Sequence, residues 1–353
     1  MNKPVSTLEV NPKAVKGKGP KGRDWAGMYP AACVVWTDKT CKELDEEAYR
    51  ELLRDMLVPE IAGLFVSSAH EGLSLPERLR VLRIAKEEAK GRVPVTGGVM
   101  GDWTWQAVEQ GKANVDAGAD IIYFVPPTIP GTDYDRDDKI ILNHFRMFAK
   151  AVKAPFIVPA WVQGPAAHYI PAKTLKKIAL ECENLVGYKL EVMTSIRGMK
   201  AAVAAMQEVE EESGRHVCPF LAGDHGLAEM LANGAEGNVN GGGVWRGRED
   251  VAIYQAVKKG DLTSALEIQE RLAPTCDAIR GMFGTTIRPY GDFPYRYKIV
   301  AWLMGKIPRP YARAPFMPVS KEEVLWLREA VIKSGLKAVR KASECREFEA
   351  SEY

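Results

Sequence analysis

A lysine closing a short apolar run is the residue best placed to do covalent chemistry in this sequence of 353 residues. Lys189 ends the stretch Leu185-Val186-Gly187-Tyr188-Lys189, and strand alternation predicts that its side chain points into an interior. A buried ammonium ion is costly unless it is paired or useful. An amine nucleophile near neutral pH needs its pKa lowered from about 10.4 to roughly 7 or 8, about 4 kcal/mol, which a dry interior supplies. Such an amine attacks a carbonyl carbon, and loss of water leaves an iminium that takes up electrons as a neighbouring bond breaks. The structural alternative is a lysine that reaches solvent or pairs with Glu71 or Glu191.

Proton transfer needs a second group. His70, in Ser67-Ser68-Ala69-His70-Glu71, is the candidate acid/base, because an unperturbed imidazole titrates near 6.5. Ser68 is a candidate relay, Ser67 a substrate contact, and Glu71 a substrate-side residue whose first expected task is to orient the loop. Asp224 and His225 stand together after Leu221-Ala222-Gly223 and suit the orientation of a polar substrate group. Trp103, Trp105, Trp161 and Trp245 are candidates for ordinary packing or for a pocket mouth, and Trp161 and Trp245 are assigned to the substrate pocket. Rings of this kind bind flat apolar or aromatic groups. His70, Glu71, Asp224 and His225 carry metal-ligand chemistry, but no helical H-x-x-x-H pair accompanies them. A Schiff-base lysine makes a metal unnecessary, so neither metal nor cofactor is expected.

These residues must be positioned by a scaffold. Short β-branched apolar runs alternate with longer amphipathic segments from Met28 onward, the signature of βα units on a parallel sheet. The candidate strands are Met28–Trp36, Gly63–Ser68, Pro94–Gly98, Ile121–Val125, Phe156–Trp161, Val186–Leu190, Cys218–Ala222 and Gly237–Asn240. Eight strands with helices between them predict an α/β fold, a (β/α)8 TIM barrel, whose chemistry sits at the C-terminal strand ends. The candidate residues all fall at those ends. Asn240, in Asn238-Val239-Asn240-Gly241-Gly242-Gly243, joins the substrate side there, although the glycines suit a tight turn first. The spacing predicts a flexible N-terminal arm over residues 1–24, a barrel over 25–248 and a helical C-terminal region over 249–353. In the last, Asp261–Ala278, Pro294–Met304 and Lys321–Ser334 are helical and no strand is expected.

Composition narrows the partner. The 48 basic and 46 acidic residues nearly cancel, which argues against nucleic acid and for a small molecule. Six cysteines without C-x-x-C spacing suit reduced thiols in the cytoplasm. No apolar run approaches the roughly 18 residues of a membrane span, so no membrane partner is expected.

Several ordered segments resemble the dihydrodipicolinate synthase and N-acetylneuraminate lyase family of class I aldolases. Gly91-Arg92-Val93-Pro94-Val95 is similar to the family's entry to its third strand, and Ala117-Gly118-Ala119-Asp120 and His144-Phe145 flank the fourth. Val186-Gly187-Tyr188-Lys189 matches the Schiff-base lysine. Leu221-Ala222-Gly223-Asp224, Asn233-Gly234-Ala235-Glu236-Gly237 and Arg309-Pro310 extend the match, which covers about residues 27–340. The resemblance implies a lysine-dependent lyase without cofactor, working as a homotetramer or dimer.

The departures are chemical. Of the two threonines in the family's loop after strand two, the first is matched by Ser68 and the second, a carboxylate anchor, by Ala69. The family's catalytic tyrosine after strand five is matched by the Pro159-Ala160 pair, and its tyrosine pair after strand four by Pro127-Thr128. The amine is kept while the usual proton relay is replaced. The expected function is that of a Schiff-base-forming aldolase or hydratase-aldolase acting on a 2-oxo acid or aromatic carbonyl substrate. The alternatives are a dehydratase or hydratase on a sugar-acid-like substrate, and a non-catalytic ligand-binding barrel.

Overall fold

The computed structural model describes residues 24–66, 71–100, 103–127, 138–160, 170–190, 196–280, 282–283, 286–287, 293–314, 316, 319–346 and 348. Strand β1 (Gly27–Pro30) leads to helix α1 (Glu46–Met56), followed by β2 (Leu64–Phe65), α2 (Leu75–Ala89), β3 (Val95–Val99), α3 (Thr104–Asp116), β4 (Ile121–Phe124) and α4 (Lys139–Ala151). The second half continues with β5 (Phe156–Ala160), α5 (Ala172–Glu181), β6 (Leu185–Leu190), α6 (Ile196–Ser213), β7 (Cys218–Leu221), α7 (Leu227–Ala232), β8 (Gly237–Asn240) and α8 (Gly243–Lys258). Beyond them lie α9 (Leu262–Ile279), β9 (Met282–Phe283), β10 (Thr286–Ile287), α10 (Phe293–Leu303), α11 (Lys321–Lys333) and α12 (Ala342–Arg346).

The first eight strands are parallel and ordered β1-β8-β7-β6-β5-β4-β3-β2. The seam between β1 and β2 is joined by a bridge from Ala31 to Phe65. The Ala32 N–H donates to Phe65 O and the Ala62 N–H to Met28 O, each at 2.9 Å. The fold is therefore a TIM barrel with C-terminal helices.

Local chemistry starts and stops these elements. Ser74 and Glu77 form a capping box at α2, with Pro76 in its first turn, where a missing N–H costs nothing. Lys90 and Gly91, both left-handed, end the same helix and turn the chain into β3. Gly97 allows α3 to lie close on β3, since a Cβ there would stand 2.2 Å from Asn114 Oδ1. Asn114 in turn donates to Gly98 O at 3.1 Å.

Alternation along the strands separates two apolar layers. Tyr29, Phe65, Tyr123, Ile157, Val186 and Phe220 fill the lumen with their neighbours. Leu64, Val95, Phe124, Phe156, Tyr188 and Leu190 face the helices. Phe124 is the hub of the second layer, its ring 3.9 Å from that of Phe148 and 4.8 Å from that of Phe145. Phe124→Ala should cost about 3–5 kcal/mol.

Two expectations from the sequence differ from the structure. β1 ends at Pro30 rather than running to Trp36. The Ala31 N–H still donates to Asn240 O, but then the chain leaves the sheet and Trp36 bridges antiparallel to Leu44. The apolar run Cys33–Trp36 is buried all the same. The C-terminal region also holds a strand pair where none was expected, Thr286 and Ile287 lying antiparallel to Phe283 and Met282. Among the described residues no helix is long and apolar enough to cross a membrane.

Candidate active site

Lys189 reaches the lumen through an irregularity in its strand. The register between β5 and β6 slips between Phe156 and Ile157, which pair with Leu185 and Gly187. Val186 belongs to the lumen layer, and a Cβ on Gly187 would also point there, 2.7 Å from Phe220. Two successive residues thus face inward, a bulge that resets the parity. Strict alternation from Val186 would have turned Lys189 toward the helices. Instead Tyr188 and Leu190 face the helices and Lys189, 9% exposed, crosses the lumen. Its Nζ lies 5.4 Å from the Tyr123 ring centroid and 5.9 Å from that of Phe65.

Val66 and Glu71, the described residues on either side of positions 67–70, are both anchored. The Val66 N–H donates to Thr96 O at 3.1 Å, and Glu71 is buried. Glu71 Oε2 is 2.6 Å from Lys298 Nζ, and its Oε1 accepts from the Val34 N–H at 3.2 Å. Lys298 also donates to Tyr311 O at 3.1 Å. Glu71 is therefore itself fastened to α10. The candidates Ser67, Ser68, His70 and Trp161 lie outside the described residues, as do Glu191 and residues 1–23 of the expected arm.

Asp224 sits in a buried ionic junction after β7. Its carboxylate accepts from the Tyr297 hydroxyl and stands 3.3 Å from Arg246 Nη2 and 3.5 Å from Arg280 Nη2. Arg246 Nε is 3.1 Å from Asp250 Oδ1, one helical turn along α8. Two cations and two carboxylates balance there. Burial pushes the Asp250 carboxyl up to about 6 and, more strongly, lifts the Tyr297 phenol well above its ordinary range. For Arg246, burial works against the charge, but Asp250 and Asp224 outweigh it and the guanidinium stays a cation.

The remaining candidates spread around this junction. Asn240 donates to Gly223 O and to Asp250 Oδ2, both at 3.3 Å, and accepts from the Gly243 N–H at 2.9 Å, which caps α8. His225 Nε2 is 2.8 Å from Asp277 of α9. Trp245 is buried in the layer between barrel and helices, not in the lumen layer with Lys189. Trp103 and Trp105 are 57% and 62% exposed. The structure thus gathers Asp224 and Asn240 at one junction, with Lys189 in the lumen and His225 and Trp245 turned elsewhere.

Sequence reasoning missed the partners. Phe65 and Tyr123 share the inward parity of their strands, a signal that was present. Arg246 and Asp250 stand at i,i+4, which also could have been noticed. Tyr297 and Lys298 lie in a helix remote in sequence, and only their burial in a run of ring and charge, Tyr295-Arg296-Tyr297-Lys298, marks them.

The sequence profile of the dihydrodipicolinate synthetase family matches residues 27–334. A 4-hydroxy-tetrahydrodipicolinate synthase of Rhodopseudomonas palustris (strain BisA53) is 28% identical over 315 residues, spanning 83% of this chain and 92% of the relative. That of Syntrophobacter fumaroxidans is 27% identical over 322 residues, spanning 88% of this chain and 100% of the relative. Among solved structures, a prophage protein of the dihydrodipicolinic acid synthase family from E. coli K12, in complex with pyruvate, superimposes with a TM-score of 0.76. Its identity is 19%, over 89% of this chain and 99% of that one. N-acetylneuraminate lyase from Fusobacterium nucleatum gives a TM-score of 0.71 at 20% identity, over 89% of this chain and 99% of that one. At these identities the structural likeness is one of fold.

Proposed function

The chain belongs to the dihydrodipicolinate synthetase family, a family of aldolase-type lyases, and from that premise we propose that it is a class I lyase working through Lys189. The observation that carries the reading is one amine at the C-terminal end of β6, nearly dry and aimed across the lumen of a barrel. The unprotonated Nζ adds to the substrate carbonyl, forming a carbon–nitrogen bond as the carbonyl π pair moves to oxygen. That oxygen takes up protons and leaves as water, and nitrogen keeps the positive charge. When a carbon–carbon bond breaks, its electrons flow toward the iminium and give an enamine as a base takes the proton of the β-hydroxyl that becomes the departing carbonyl. When a β-hydroxyl is lost, an α-proton leaves first to give the enamine, whose electrons then expel the hydroxyl, protonated, as water. A proton returned to carbon and the addition of water release product and free amine.

His70 and Ser68 are proposed to carry the protons. The anchoring of Val66 and Glu71 at the two ends of their segment supports this, since a general acid must be held within reach of the reacting atoms. The proposed substrate is a 2-oxo acid or an aromatic carbonyl compound. Pyruvate in the E. coli relative favours the first, and the aromatic walls of Phe65 and Tyr123 suit the second. Ser67 and Trp161 complete the proposed pocket. Family membership further leads us to propose a cytoplasmic dimer or tetramer. One solved relative is a monomeric dihydrodipicolinate synthase variant, so light scattering on the purified protein decides.

Borohydride reduction in the presence of pyruvate and a panel of aromatic carbonyl compounds tests the chemistry. Peptide mass mapping should find the reduced adduct on Lys189, and Lys189→Ala should lose both adduct and turnover. Turnover that survives in Lys189→Ala, or the lack of an adduct with every carbonyl, would reject the amine mechanism.

A further inference from the structure

We propose that Phe65 and Tyr123 form a cradle for positive charge on the Lys189 nitrogen and stabilise the iminium, a role that rests on the Schiff-base reading above. The two rings meet edge to face, with centroids 4.9 Å apart and planes at 75°. They make a corner, and the lysine nitrogen occupies it at 5.9 and 5.4 Å from the two centroids. A cation within about 6 Å of a ring face is attracted by the quadrupole of the ring. Both rings are buried, at 7% and 5% exposure, so water screens this attraction little.

The placement is built by the barrel. Phe65 pairs with Thr96 and Tyr123 with Gly98, so the rings stand on β2 and β4 with small residues of β3 between them. Lys189 reaches them from β6 because the bulge at Val186 and Gly187 turns it inward. The apolar layer around them, among the described residues, also holds Tyr29, Ile157, Val186 and Phe220. Ring faces can therefore favour the cationic adduct over the neutral amine that precedes it. They do so at small desolvation cost, because neither ring must surrender a tightly held water. This favours the iminium over the uncharged amine and carbinolamine that precede it.

The test reads the fraction of Lys189 reduced by borohydride at saturating pyruvate, together with the split between kcat and KM. Phe65→Leu and Tyr123→Leu should each lower the adduct fraction by about 3- to 10-fold, the range a cation–π contact implies. Replacing Phe65 with 3,4,5-trifluorophenylalanine keeps shape and packing while draining the ring face, so it should lower the fraction in the same direction. That variant also guards against a leucine variant that fails to fold. Tyr123→Phe keeps the ring and should lose less than Tyr123→Leu. An adduct on the wild-type chain that fluorination leaves unchanged would overturn the cradle and leave the Schiff base standing. An equal loss in Tyr123→Phe and Tyr123→Leu would also overturn it, by assigning the effect to the hydroxyl. Absence of any adduct on the wild-type chain would remove both.

Discussion

His216 lies between two carboxylates at the opposite face of the barrel from Lys189, with Nδ1 3.0 Å from Glu210 Oε2 and Nε2 2.8 Å from Glu236 Oε2. Burial alone would lower the pKa of its imidazolium, but hydrogen bonds to Glu236 and Glu210 outweigh burial and push it up to about 9. A group whose pKa rises on folding stabilises the protein fully below its ordinary value, near 6.5, and loses that contribution as pH rises through about 9. The contribution is on the order of 3 kcal/mol. The difference in Tm between the wild type and His216→Gln should therefore shrink between pH 7 and 10, and a constant difference would contradict the assignment. At the other face, Tyr297→Phe removes the hydroxyl that Asp224 accepts from. A cost of about 1–3 kcal/mol is expected in urea unfolding, because a buried acceptor loses its donor.

α10 joins residues that follow two different strands. Its consecutive residues Tyr297 and Lys298 reach the loops after β7 and β2. Those strands flank β1 and β8 in the sheet order, so one helix braces both sides of the rim. Lys298→Met leaves the Glu71 carboxylate buried without its cation, which should cost about 3–5 kcal/mol. Adding Glu71→Gln should recover much of that loss, since no charge then remains buried. Hydrogen exchange should rise at residues 71–74 in the single variant. Exchange unchanged there would mean that the ion pair does not hold residues 71–74. The helix itself was legible in the sequence as a helical pattern over Pro294–Met304. Its contacts were not, because helical periodicity names a buried face and not the partner that buries it.

Across the whole molecule, the C-terminal helices are tied to the first barrel units over long sequence separations. Arg313 stacks on Trp36 with its guanidinium carbon 4.1 Å from the ring centroid, donates to Cys41 O at 2.8 Å and pairs with Glu77 at 2.7 Å. Arg309 pairs with Asp45 and donates to Trp36 O at 3.2 Å. Within the C-terminal region, Ser334, after α11, accepts from the Thr275 hydroxyl of α9 at 2.8 Å. These ties predict that barrel and helices unfold together, so far-UV and near-UV circular dichroism should trace one denaturation curve. A chain truncated after Ile279 should lose that cooperative transition, since Glu71 and Asp224 would be stripped of α10. Two separated transitions in the full chain would show the helices to be an independent unit.

The sequence alone determined the eight βα units, the barrel, the helical C-terminal region and the lysine at the end of the sixth strand. These follow from period, composition and short motifs, which are properties of neighbouring residues. It also marked Asp224 and Asn240 as polar groups at strand ends. Only the tertiary structure decided that both join one buried junction with Arg246, Arg280 and Tyr297, and that Glu71 is held by Lys298. It likewise decided that a bulge, rather than plain alternation, turns Lys189 inward to Phe65 and Tyr123. The physical reason is common to all of these. The cost of a buried charge, and the direction a side chain takes, depend on groups from distant parts of the chain, and those meet only when the barrel closes.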